Sequence, residues 1–252
     1  MIHYHGLPMT GFDSPIFSMQ GKHCMISFAH PDQVAIAAEI CQSFTLDNGA
    51  FSAWKAGKKF DIEKLAEWVS AWCMHPGCDW YCLPDVIGGD ENDNAKIRAE
   101  WFNLVDTSVW NRGVPIWHMH EDIGVLFDFI SWNAPCIAVG SSGEYATIGN
   151  TKWWGRIAEA MEILCDEHGV PKTKLHGLRQ LDPTIFSHIP YSSADSTNVA
   201  RNIGLDVRWN NYAPKSRRIR AQIMAERIES HASASRWNFE SVGVQKNMEL
   251  FG

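Results

Sequence analysis

The chain has 252 residues, 45% of them hydrophobic, which is enough for one sizeable core in a single domain. A net charge of −7 excludes indiscriminate nucleic-acid binding by the whole surface but allows a local basic patch. No apolar run nears the roughly 20 residues that span a bilayer, no signal peptide opens the chain, and seven cysteines lack small-domain disulfide spacing. The expectation is a reduced, cytoplasmic protein without a membrane partner.

Strand and helix signals alternate along the chain. Residues 23–28 form a β-rich run, and Pro31 opens a helical stretch to about Cys41. A short strand over 43–46 precedes "DNGAF", where Asn48-Gly49 is strong turn chemistry. The helix predicted over 61–73 puts Ile62, Leu65, Ala66, Val69, Trp72 and Cys73 on one face. A strand over 80–83, a helix over about 92–105, a strand over 114–118 and a helix over about 121–130 follow. Next come a strand over 136–139 and a helix over about 151–167, its face formed by Trp154, Ile157, Ala158, Met161, Leu164 and Cys165. Residues 174–176 and 189–193 read as further strands, and 216–230 as a last helix with Ile219, Ile223, Met224 and Ile228 apolar. Repeated β-then-α units imply parallel strands with right-handed crossovers. The predicted fold is an α/β single-domain (β/α)₈ barrel over 1–252, its eighth strand supplied by residues 1–4 or 204–209.

In such a barrel the active site belongs at the carboxyl ends of the strands. Asp47 follows Thr45-Leu46, Asp85 sits in "CLPDVIGGD", and His118 ends "VPIWH". "GSSGEYATIG" follows "CIAV", His176 follows "KTKL", and Asp195 closes "IPYSSADS". Each has a plain structural explanation as a cap, a turn or a satisfied core histidine. Three aspartates at three strand ends nevertheless point to a catalytic pocket.

These stretches resemble the tRNA-guanine transglycosylase superfamily, most closely its small phage-type members, which insert queuosine-related 7-deazaguanines into DNA. "LDNGAFSAW" resembles the family's Asp-Ser-Gly-Gly-Phe-Gln stretch and the Asp-Ser-Gly-Ala-Phe-Ser form of the phage branch. "PDVIGGD" occupies the place of the base-recognising aspartate, "AVGSSGEYA" resembles the base-pocket loop, and "SSADSTNVAR" resembles the nucleophile segment. The resemblance runs from about residue 23 to 204. It implies Asp195 as nucleophile on C1′, Asp47 as general acid/base, and Asp85 as partner of the base edge. It also implies base contacts from Gly140, Ser141, Ser142 and Gly143, with Asn48 (a serine in the family), His118 and His176 as further substrate-binding residues. A carboxylate suits this chemistry, because breaking an N-glycosidic bond builds positive charge on the sugar.

The implied partners are a 7-deazaguanine base and a nucleic acid, DNA favoured over tRNA, in the host cytoplasm for a phage-encoded enzyme. A partner protein or a homo-oligomer is a further expectation where a duplex must be opened. The family's C-terminal zinc pattern is missing, since no cysteine follows Cys165, so no cofactor is expected. "CMHPGCDWYC" (Cys73, His75, Cys78, Cys82) is the alternative zinc signal. "WHMHED" (His118, His120), with His176 and Asp195, is the signal of a metal-dependent amidohydrolase. A third alternative is a catalytically dead binding subunit, against which the retention of Asp47 and Asp195 argues. Near the C-terminus, Lys215, Arg217, Arg218 and Arg220 read either as a solvated helix face or as phosphate contacts, with Trp209 and Tyr212 as stacking residues.

Overall fold

The computed structural model describes residues 1–204, Trp209 and 213–238. Nine strands form one sheet: β1 (Ile2–Gly6), β2 (His23–Ser27), β3 (Ser43–Asp47), β4 (Cys78–Cys82), β5 (Gly113–Val114), β6 (Ile116–His118), β7 (Ile137–Gly140), β8 (Leu175–Leu178) and β9 (Ser193–Ser196). All pairings are parallel, in the order β5-β4-β3-β2-β1-β9-β8-β7-β6. The two sheet edges, β5 and β6, are halves of one strand parted by Pro115, which has no backbone N–H to give. The Val114 carbonyl accepts from Leu83 N on one side (2.9 Å), and the Pro115 carbonyl accepts from Ala138 N on the other (2.9 Å). The sheet is thus a nearly closed all-parallel barrel, wrapped by helices as a TIM-type barrel is.

The strand at the amino end supplies the missing stave: β1 lies between β2 and β9, with Tyr4 opposite both His23 and Asp195. The alternative over 204–209 lies largely outside the described residues. Tyr4, Met25, Trp80, Cys82, Val114, Ile116, Cys136 and Ala138 fill the barrel interior. A second apolar cluster, running from Leu7 to Trp237, packs the helices onto the outside as one continuous core. Leu65, Ala66 and Val69 of helix Ile62–Trp72 belong to it, as do Ile157, Met161 and Leu164 of helix Thr151–Leu164. No helix among the described residues is long and apolar enough to cross a membrane.

Several details differ from the sequence-based expectation. The last strand is Ser193–Ser196 rather than 189–193, because Ile189 and Tyr191 are drawn into the outer core and Pro190 cannot donate to a ladder. Asp195 therefore sits within a strand. The helix expected over 121–130 is Val125–Ser131, since Glu121 is turned inward to the site. The helix expected to reach Glu167 stops at Leu164, where Cys165 becomes extended and bridges to Pro171. In helix Arg217–Glu229 the buried face is Ala221, Met224, Ala225 and Ile228, and Ile219 is exposed.

Candidate active site

The carboxyl ends of the strands enclose a cavity of about 360 Å³, lined among others by Asp47, Asn48, Asp85, His118, Gly140, Ser141 and Asp195. Asp47 is the last residue of β3, and its half-buried carboxylate accepts a hydrogen bond from Gly49 N (3.2 Å). Gly49 is left-handed (φ 74°), and a Cβ there would meet Ala29 N at 3.0 Å, which explains the Asn-Gly pair after the strand. The turn also starts helix Ala50–Lys55, which carries Phe51 to the cavity. Burial pushes the Asp47 carboxyl up to about 6, against a lowering hydrogen bond from Ser27. The neighbouring charges of Asp195 and Asp85 push the same way as burial.

Asn48 is buried and fully used. Its Nδ2 donates to the Leu83 carbonyl (2.7 Å) and to Asp85 Oδ1 (2.8 Å), while its Oδ1 accepts from Ala50 N (2.9 Å). The other Asp85 oxygen pairs with His118 Nε2 at 2.7 Å. Behind His118 stands Glu121, 98% buried, whose Oε1 lies 3.5 Å from His118 Nδ1 and whose Oε2 accepts the His118 backbone N–H (2.9 Å). Asn94 Nδ2 completes the row by donating to Glu121 Oε1 (2.6 Å). Burial alone would push the His118 ring down, but the two flanking carboxylates win and raise it to about 9, so the imidazolium persists at neutral pH. Burial likewise opposes ionisation of Glu121, yet its bonds to His118 hold it below the usual carboxylate range.

Asp195 is buried, and its Oδ1 accepts from Arg179 N (2.8 Å) and faces His176 Nε2 (3.3 Å). Arg179 has a left-handed backbone (φ 61°), unusual for a non-glycine residue, and that turn aims its N–H at the carboxylate. Among the described residues nothing hydrogen-bonds Oδ2. One oxygen is fixed, and the other is free to react.

Several expected residues stand elsewhere. His176 is fully buried beneath the cavity, bonded to Ser193 Oγ (2.8 Å) and packed edge-on against Trp80, so it supports Asp195 and does not line the pocket. Ser142 and Gly143 also miss the lining: Ser142 Oγ bonds His120 Nδ1 (2.7 Å), and Gly143 (φ 55°) packs on the His120 side chain. His120 Nε2 bonds the Gly89 carbonyl, so the two histidines of "WHMHED" do not converge. Cys82 lies inside the barrel, Cys73 and Cys78 in the outer core, and His75 Nδ1 accepts from Gly77 N, so "CMHPGC" does not converge either. Among the described residues no cluster of three or more His, Cys, Asp or Glu side chains could hold a metal ion.

The basic stretch is off the cavity as well. Arg220 donates to the Ile203, Pro214 and Lys215 carbonyls, Arg218 lies over Phe17 (5.9 Å), Arg217 is half-buried near Gly11, and Lys215 is exposed with no side-chain partner among the described residues. Trp209 is covered by Arg227 (5.1 Å), and Tyr212 lies outside the described residues.

The sequence reading missed Glu121, Asn94 and Arg179. Asn94, Arg98 and Trp101 fall on one face of helix Glu91–Leu104, and all three are buried. Polar residues on an otherwise buried face were the readable signal. No protein-family profile matches the chain and no curated relative does either, so the functional reading rests on the residues of this cavity.

Proposed function

We propose that the protein is a base-exchange transglycosylase that replaces guanine in nucleic acid, DNA in preference to tRNA, with a 7-deazaguanine. The observation that carries this reading is the convergence of three carboxylates, each held by different partners, on one cavity. Asp195 offers a free Oδ2 beside a fixed Oδ1, as a nucleophile requires. Asp47, with a pKa raised to about 6, can both give and take a proton near neutrality. Asp85, held by Asn48 and the His118 imidazolium, is a rigid acceptor for the N–H edge of a purine-like base.

The reaction runs in two displacements at one carbon. Asp195 Oδ2 attacks C1′ as the C1′–N9 bond breaks, its electron pair leaves with the base, and Asp47 protonates the departing guanine. The incoming 7-deazaguanine then loses its N9 proton to Asp47 and attacks C1′. The Asp195 ester bond breaks, restoring both carboxyl groups and retaining configuration.

The amidohydrolase alternative is weaker on geometric grounds, because His118 Nε2 is engaged by Asp85 and His120 turns away to Ser142 and the Gly89 carbonyl. The test is incubation with radiolabelled guanine or preQ0 and matched single-stranded DNA, duplex DNA and tRNA. Label entering a guanine position supports the proposal, and a denaturant-stable protein–oligonucleotide adduct supports the ester. Failure to label any polymer overturns it, and labelling of tRNA alone reverses the choice of polymer.

A further inference from the structure

A second cavity, of about 430 Å³, adjoins the first, lined by the loops that follow β8 and β9. The two cavities share Arg179, Thr197 and Arg201 as a common wall. Both arginines are exposed, and among the described residues neither guanidinium is in an ion pair. Arg179 lies over the Phe51 ring at 5.3 Å, and Phe51 in turn sits 5.7 Å from Trp54, with both aromatic rings exposed. Among the described residues Asp182 is the one carboxylate lining the second cavity, and its Oδ1 already caps Thr184 through the backbone N–H (2.9 Å) and the hydroxyl (2.7 Å). The joined space is thus polarised: three carboxylates in the first cavity repel an anion, and two guanidiniums on the wall toward the second, in no ion pair among the described residues, attract one.

We propose that the second cavity is a phosphodiester subsite, in which Arg179 and Arg201 hold a backbone phosphate next to the nucleotide whose base enters the carboxylate pocket. A nucleotide carries its positive charge demand at C1′ and its negative charge at the phosphate, so it matches this polarity end for end. The exposed Phe51 and Trp54 rings give neighbouring bases a stacking surface on the same rim. The proposal rests on the nucleic-acid reading above, but its readout is binding and not exchange.

The test uses the full chain and fluorescence anisotropy with a labelled single-stranded 12-mer oligodeoxynucleotide carrying one guanine. Arg179→Gln and Arg201→Gln should each weaken binding about five- to tenfold and flatten the slope of log K against log salt by about 0.7. Arg179→Gln keeps the backbone N–H on Asp195, and Lys152→Gln, at an exposed lysine paired with Glu144, should bind as the parent does. A 12-mer with a neutral methylphosphonate beside the guanine should bind the parent more weakly by a similar factor, and the arginine variants should lose little more. Binding of both variants equal to the parent, with an unchanged slope, overturns the subsite even if the parent exchanges base. Arginine-dependent binding that responds to the methylphosphonate upholds the subsite even if no base is exchanged. Arginine-dependent capture of deoxyguanosine monophosphate or inorganic phosphate, without binding of the 12-mer, overturns the strand assignment.

Discussion

Asp47 keeps its proton up to about pH 6 because it is sequestered at a strand end beside two other carboxylates. The acid form therefore prevails below that pH and the base form above it. Formation of the covalent adduct, which needs the acid, should fall as pH rises through about 6. Asp47→Asn should remove that limb and slow adduct formation about 10²- to 10⁴-fold, as single-turnover kinetics across pH 5–8 would report. Asp195→Asn should abolish adduct and exchange while leaving the thermal midpoint near that of the parent, and residual exchange at a tenth of the parent rate would remove Asp195 from the nucleophile role. At His118 the folded pKa, about 9, lies above the unfolded value of 6.5. Its stabilisation is fully present below about pH 6.5 and is lost as pH rises through about 9. Glu121→Gln should cost about 1–3 kcal/mol at pH 7 and shrink the decline in stability above pH 8, read from urea melts at each pH.

At the scale of elements, the turn after β3 and the docking of the last long helix are the exposed points. Gly49→Ala forces a left-handed Cβ against the Ala29 backbone, so a cost of about 1–2 kcal/mol is expected, with activity falling further because Asp47 and Asn48 flank the turn. Helix Arg217–Glu229 is pinned to the barrel by Glu229, which bonds His5 Nε2 (2.8 Å) and Lys22 Nζ (2.5 Å). Burial opposes the Glu229 charge, but these two partners outweigh it and lower its pKa to about 2. The pin is therefore intact above about pH 4.5 and fails as pH falls toward 2. Glu229→Gln should speed amide hydrogen exchange across 217–229 at pH 7 while leaving the strands protected. Uniform protection across that helix would show that the apolar face of Ala221, Met224 and Ile228 holds it alone.

Over the whole molecule, the acidic charge and the barrel geometry divide the labour between surface and cavity. A surface with net charge −7 repels a polyanion, so binding must be focused where carboxylate end and arginine end adjoin. A base stacked in a duplex must also be flipped out, at a cost of a few kcal/mol. Exchange is accordingly expected to be faster on single-stranded or mismatched DNA than on a matched duplex, by tenfold or more. Equal rates on all three would show that the protein opens a duplex unaided.

Local chemistry alone determined the barrel's alternation, the Asn-Gly turn after Asp47, and the strand-end positions of Asp47 and Asp85, because hydrophobic period and turn residues are read from near neighbours in the chain. Tertiary structure alone decided how the barrel closes, since pairing β1 between β2 and β9 joins segments about 20 and 190 residues apart. It likewise decided that His176 supports Asp195 from below, that Glu121 and Asn94 buttress His118, and that Arg220 spends its donors on backbone carbonyls. These roles depend on which polar groups meet once the core excludes water. A buried donor or acceptor must find its partner wherever the fold brings one, and no local pattern encodes that choice.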